Sequence, residues 1–281
     1  MLLFFARLIA LPVFALVAWG LIEYPLGNVY LGAGLVIYAL ALIRFPFVWL
    51  FVLPALLPVL NFAPWTGRFF FDAFDMFVLV TIAIGYLRLV EKEGAPLFGQ
   101  VQKTLLLLFF AGAFISTLMG LLPLQSLDFN AFTNYYSRYN SLRVFKGFLY
   151  ALALWPLFRR ASFCERHCER KFIGGVLVGL AGVCLVALWE RQVFSGLINF
   201  SSDFRITSTF YGMHTGGAYI DGFLAATLPL IGWCFLAQKN RLIKLGGLLL
   251  FPVAVYTLLV TFSRIDYLAF GVSVLTLLMT L

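Results

Sequence analysis

The residues best suited to chemistry in this chain are charged side chains that stand beside long apolar runs. Arg205, His214 and Asp221 lie in one polar, glycine-containing stretch, 190–230, and Arg264 follows Ser263 where a later apolar run ends. Polar groups at the edge of a bilayer are costly unless they pair, contact water or bind a ligand. We therefore take these two segments as the two parts of a candidate site.

Arg205 and Arg264 suit a ligand that carries phosphate. A guanidinium group is permanently charged and presents a planar set of N–H donors that matches phosphate oxygens. The simpler interpretation is that both are interfacial anchors, with Arg205 paired to Asp203 or a lipid headgroup and Arg264 paired to Asp266. Spacing alone leaves both interpretations open.

His214 and Asp221 are supporting candidates. They are seven residues apart, so a helix that begins early enough places them on one face. The histidine can act as a base or proton shuttle near neutral pH; the alternative is a solvated His and an Asp near a helix N-terminus. Asp221 lies further into the apolar run, where an unpaired carboxylate is unfavourable, so we expect an arginine beside it.

A second polar segment, 130–148, mixes basic and aromatic residues, namely Arg138, Arg143, Lys146, Tyr135, Tyr136 and Tyr139. This mixture suits sugars, through stacking, and phosphate, through charge. An aromatic belt with anchoring cations explains the same pattern. Arg138 and Arg143 are thus secondary candidates for phosphate binding.

We predict no metal site. Cys164, His167 and Cys168 lack a fourth ligand and stand among basic residues, which disfavour a bound cation. Cys164 and Cys168 are expected to face a reducing cytoplasm, and Cys184 and Cys234 lie inside apolar runs, so all four cysteines are expected to be thiols.

The composition requires a membrane. Of 281 residues, 63% are hydrophobic and only 11% are charged, far below the charged fraction of soluble domains. Apolar runs of helical length, without strand alternation, predict an all-α polytopic membrane protein of about ten transmembrane helices. The predicted segments are 3–22, 29–43, 46–60, 74–90, 104–122, 144–158, 172–189, 217–237, 245–262 and 267–281. Motifs of soluble nucleotide-binding enzymes, serine hydrolases and zinc proteases are absent from the sequence.

The charge distribution predicts the orientation. A cytoplasmic N-terminus places 13 of the 20 lysines and arginines inside, and it leaves the loops 123–143 and 190–216 outside. The net charge of +8 is therefore explained by topology and does not indicate nucleic acid. No repeat or linker divides the chain, so we expect one transmembrane domain over 1–281.

The order of these features resembles the O-antigen ligase and O-antigen polymerase superfamily of bacterial inner membranes. The resemblance lies in DFRITSTF with Arg205, the following GGAYIDGFLAATLPL, and VTFSRIDYLAF with Arg264. It implies a multi-pass, metal-independent glycosyltransferase of polysaccharide biosynthesis, without a cofactor, whose two arginines bind an undecaprenyl-pyrophosphate-linked glycan. The implied partners are that lipid-linked oligosaccharide donor, a glycan, lipid or protein acceptor, and membrane lipids.

The chain departs from the family after Arg264. Family members usually continue into a large periplasmic loop that carries a histidine proposed as general base, and nothing here matches it. His214 precedes Arg264 and is not that histidine. The last run, 267–281, stops without a flanking charge. We therefore expect an N-terminal portion of a longer enzyme, with catalytic residues beyond Leu281.

Two other functions fit the same features. A transporter or flippase for a lipid-linked glycan would also use outward-facing arginines in a helical bundle, and it predicts charges along a path through several helices. A truncated, inactive membrane remnant would retain the same residues as relics.

Overall fold

In the computed structural model the described part of the chain is helical and contains no strand. The structure describes residues 2–24, 27–60, 71–88, 99–128, 131, 136–201, 204–210 and 219–280, without the side chains of 2–7, 277, 278 and 280. The helices are α1 (Leu2–Ile22), α2 (Asn28–Arg44), α3 (Trp49–Leu56), α4 (Ala73–Leu87), α5 (Gln100–Leu121), α6 (Asn140–Cys164), α7 (Cys168–Phe194), α8 (Tyr219–Thr227), α9 (Ile231–Leu236), α10 (Arg241–Leu259) and α11 (Arg264–Thr280).

Helix length and composition fit a membrane protein. Within the described ranges, five helical segments are long and apolar enough to cross a bilayer: Gln100–Leu121, Asn140–Cys164, Cys168–Phe194, Tyr219–Leu236 and Arg241–Leu259. Leu8–Ile22, Asn28–Arg44 and Ala73–Leu87 are apolar but shorter. The all-α membrane class is thus confirmed, whereas the five long segments fall short of about ten spans. That count and the cytoplasmic N-terminus stay predictions.

Each predicted segment overlaps a helix, but some boundaries differ. The segment 172–189 ends too early, because α7 continues to Phe194 through the charged pair Glu190 and Arg191. The segment 217–237 is interrupted by a 3₁₀ turn at Leu228–Leu230. Pro229 lies in that turn, and proline has no N–H to continue an α-helical hydrogen-bond ladder.

The chain divides into two compact units, unit 1 (Met1–Trp49 and Ala63–Cys168) and unit 2 (Leu50–Phe62 and Glu169–Leu281). In unit 1, α4 is the buried element, and its Thr81 shares a 2.7 Å hydrogen bond with Tyr38 of α2. Its N-terminus carries a reciprocal capping box between Asp72 and Asp75. Lys146 Nζ lies 2.5 Å from an Asp75 oxygen and so ties α6 to α4. The single domain over 1–281 stays a prediction.

Unit 2 is built on α7. The Gly175 face of α7 packs directly on α3, where a Cβ on that glycine would lie 2.2 Å from the Phe51 carbonyl oxygen. Further along, the buried residues Leu180, Val183, Cys184 and Ala187 of α7 form one apolar core with residues of α8 and α10. The core therefore holds α7 rigid up to the turn that carries Glu190 and Arg191.

Candidate functional site

The candidate site is organised by the end of α7, where two adjacent charged side chains are buried. Arg191 is fully buried and Glu190 is 8% exposed. Buried charges are stable only when polar groups replace the lost water. Both side chains obtain these groups from the described residues that follow the helix, 195–201 and 204–210, which we call the arginine loop because they include Arg205.

Arg191 holds the first part of the arginine loop. Its guanidinium donates hydrogen bonds to the carbonyl oxygen of Asn199 and, at 3.4 Å, to that of Phe204. The Phe204 ring also stacks on Phe194, with the ring centres 5.5 Å apart. The residue immediately before Arg205 is therefore tied to the end of α7 by backbone and side chain.

Glu190 holds the part that follows Arg205. Its carboxylate accepts the Thr207 N–H at 3.1 Å, the Thr207 hydroxyl at 3.3 Å and the Ser208 N–H at 2.6 Å. Hydrogen bonds to a charged acceptor contribute about 1.5–3 kcal/mol each. Arg205 is thus placed between two anchored backbone segments.

Arg205 is exposed beside residues that are buried. Ile206 is 2% exposed and lies in the core of unit 2, and Phe210 is buried there as well. The core contact of Ile206 therefore fixes the backbone next to Arg205, whose own side chain is exposed. Tyr256 of α10 adds a further attachment by donating a hydrogen bond to the Leu197 carbonyl oxygen at 2.8 Å.

Arg264 is the first residue of α11 and is also exposed. The Ser263 hydroxyl accepts the Asp266 N–H at 3.4 Å and so contributes to capping this helix end. Free N–H groups and the helix dipole favour an anion at such an N-terminus. The predicted alternative, a pair between Arg264 and Asp266, is not formed, since neither carboxylate oxygen of Asp266 has a hydrogen-bond partner within the described residues.

Backbone strain occurs in both arginine-bearing segments. The non-glycine residues with positive φ in the described ranges are Ser208, at 52°, and Phe262, at 53°. Ser208 follows Arg205 by three residues, and Phe262 precedes Arg264 by two. Such conformations cost about 1–3 kcal/mol each and persist only where the surroundings enforce them. They indicate that both segments are held in defined shapes.

Asp221 and Asp266 bring acidic groups to the same end of unit 2, where α8 packs on α11. Asp266 is 2% exposed and precedes the predicted span 267–281. Burial, together with the smaller effect of the nearby charge of Asp221, raises the pKa of Asp266 to about 7. Phe204 and Ile206, on either side of Arg205, pack in the same apolar core as Phe262 and Tyr267, which stand on either side of Arg264.

The remaining candidates are placed as follows. Ion pairs in the described part of the chain join Lys146 to Asp72 and Asp75, and none joins an arginine to Asp221. Arg138 donates to the Leu122 carbonyl oxygen, and with the half-buried Arg143 it belongs to unit 1. His214 lies outside the described residues. The four cysteines are free, as predicted.

Glu190 and Arg191 are the site residues that sequence reasoning missed. The hydropathy boundary at 189 assigned them to a loop, where charged residues need no explanation. The sequence feature that could have identified them is an acidic residue next to a basic residue, directly after an apolar run of membrane length. Two charges at that position are unfavourable unless both are paired, hydrated or hydrogen-bonded. A predicted helix that ended at Phe194 instead of at 189 would have included both residues.

Comparison of the chain with family models, with curated proteins and with solved structures finds no match. The feature of unit 2 that points to a function is a pair of exposed arginines on two segments that pack against one helical core.

Proposed function

We propose that this chain binds the pyrophosphate of a lipid-linked glycan and takes part in transferring that glycan to an acceptor on the periplasmic face of a bacterial inner membrane. The proposal includes about ten spans and a cytoplasmic N-terminus, which together place the arginine loop and the start of α11 on the periplasmic side. The supporting observation is that exposed Arg205 lies between backbone segments anchored by Glu190 and Arg191, in a unit whose apolar core also includes residues on either side of Arg264.

The chemistry requires an anion site of this kind. In the transfer, the bond between the anomeric carbon and the pyrophosphate oxygen breaks, and its electron pair leaves with the pyrophosphate. The acceptor oxygen forms the new bond and loses its proton to a base. Fixed positive charges stabilise the leaving group most strongly when they need no reorganisation during the reaction. Arg205 and Arg264 fill this role, and we assign the base to no described residue.

The preorganisation of Arg205 distinguishes it from an interfacial anchor. An anchoring side chain needs only to reach the headgroup layer, and its backbone is free to adjust. Here the backbone on both sides of Arg205 is fixed by buried charges, and Ile206 locks the loop into the core. This arrangement restricts where the guanidinium can lie, as binding of a defined pyrophosphate requires.

The test is a transfer assay with a lipid-linked oligosaccharide donor and the native full-length protein in membranes. Arg205→Ala and Arg264→Ala are each expected to lower transfer at least about 100-fold, equivalent to losing about 2.7 kcal/mol of transition-state stabilisation. Arg241→Ala is the matched control, because Arg241 is an exposed arginine of the same unit at the start of α10. Variants that insert normally and transfer glycan as well as Arg241→Ala would refute the assignment. Transport of an intact donor, without cleavage from pyrophosphate, would instead identify a flippase.

A further inference from the structure

A second cationic feature lies in unit 1, remote in sequence from the arginine loop. A small cavity is walled by apolar side chains from α2, α4 and α6, among them Leu42, Ile84 and Leu157. Arg88 and Arg160 also line it. The cavity thus combines an apolar wall with two permanent positive charges.

Both guanidinium groups are held in place by main-chain acceptors. Arg88 Nη1 donates to the carbonyl oxygens of Leu42, at 3.0 Å, and Ile43, at 2.5 Å, at the end of α2. Arg160 Nη1 donates to the carbonyl oxygen of Arg88, where α4 has just ended. These contacts use one nitrogen of each side chain, whereas a guanidinium has five N–H donors. Capping of α2 and α4 therefore occupies only part of each group.

The charge of this pair is not neutralised within the described residues. The ion pairs found there involve Lys146 and the acids of the α4 capping box, and neither Arg88 nor Arg160 takes part. Arg44, the last residue of α2, adds a third positive charge at the same helix end. Like charges held close together beside an apolar surface repel one another, which raises the free energy of the folded chain. A bound anion offsets this repulsion.

We propose that the Arg88–Arg160 cavity binds the phosphate of an acidic phospholipid headgroup. The two guanidinium groups take the phosphate oxygens, and the apolar wall takes the carbons next to the headgroup. Basic pockets between membrane helices are suited to this ligand because the charge and the apolar surface are recognised together. Free phosphate shares the charge but has no apolar part, so the two ligands can be distinguished.

The experiment measures lipid binding to the purified full-length chain in detergent, by native mass spectrometry and thermal melting. The probes are phosphatidylglycerol, phosphatidylcholine with the same acyl chains, and inorganic phosphate. We expect phosphatidylglycerol to bind and to raise the melting temperature. Replacing Arg88 and Arg160 by Gln should weaken this binding about tenfold or more, since hydrogen bonds to charged groups are lost. Arg170→Gln, which removes an exposed arginine of α7, should bind normally.

Loss of folding and loss of binding are separated by the single variant Arg160→Gln. If Arg160 only caps α4, this variant melts at a lower temperature without lipid and keeps its affinity for phosphatidylglycerol, which would overturn the proposal. Equal binding of phosphatidylcholine would overturn it as well. Competition by inorganic phosphate as strong as that by phosphatidylglycerol would assign the site to free phosphate and contradict the lipid assignment.

Discussion

Glu190 shows how a single residue outside the phosphate-binding pair can control the candidate site. Its carboxylate receives the N–H groups of Thr207 and Ser208, so its negative charge fixes the backbone just beyond Arg205. An amide at this position would keep the shape of the side chain but lose the charge and turn an NH₂ group toward one of the backbone donors.

Glu190→Gln is therefore expected to loosen the arginine loop. We expect glycan transfer to fall about tenfold or more, because charge-assisted hydrogen bonds worth about 1.5–3 kcal/mol each are weakened. A cysteine introduced at exposed Ser201 should react faster with a water-soluble maleimide in this variant. Glu169→Gln, on an exposed turn at the other end of α7, is the matched control. Unchanged transfer and unchanged labelling in Glu190→Gln would show that the carboxylate does not position the loop.

At the scale of elements, α7 is the helix on which unit 2 depends. It packs on α3 through Gly175, continues through the apolar core and ends at the charged pair. Close approach of two backbones requires glycine at the contact, and any added side chain must displace main-chain atoms rather than a flexible side chain. Displacement of α7 would carry the Glu190 and Arg191 anchors with it.

Gly175→Ala and Gly174→Ala provide a matched pair of variants. A methyl group on Gly175 would lie 2.2 Å from the Phe51 carbonyl oxygen, whereas one on Gly174 would lie 3.7 Å from the Phe51 ring, at ordinary contact distance. We expect Gly175→Ala to destabilise the protein by about 1–3 kcal/mol through overpacking. Gly174→Ala should be neutral or slightly stabilising, because alanine favours helices. Melting temperatures in detergent measure both, and equal values would contradict direct packing of α7 on α3.

At the scale of the whole molecule, the proposed site requires the arginine loop to face away from the cytoplasm. Ser201 and native Cys164 are both exposed in the structure, so their labelling in cells depends on the side of the membrane. With Cys168 replaced by Ser, a membrane-impermeant maleimide should label a cysteine at Ser201 in sealed cells and should leave Cys164 unlabelled. Cys164 should react once the cells are permeabilised. Labelling of Cys164 in sealed cells would reverse the orientation and exclude a periplasmic site.

Much of the helical architecture was predictable because hydropathy is a local property. Apolar runs such as 104–122 and 245–262 overlap most of the observed α5 and α10, and each predicted segment overlaps a helix. Helix ends were less predictable, as α6 shows by extending from Asn140 to Cys164 where 144–158 was expected. Polar residues can continue a helix when tertiary contacts satisfy them, and hydropathy does not detect those contacts.

The sequence by itself determined the membrane class, the helical segments, the free cysteines and the choice of Arg205 and Arg264 as candidates, because each follows from residue type and local order. Only the tertiary structure decided what holds these arginines. The anchoring of the arginine loop by Glu190 and Arg191, the unpaired carboxylate of Asp266 and the meeting of Arg88 with Arg160 join residues far apart in the chain. Such contacts depend on how helices pack, and packing is settled by shape and burial across the whole unit rather than by neighbouring residues.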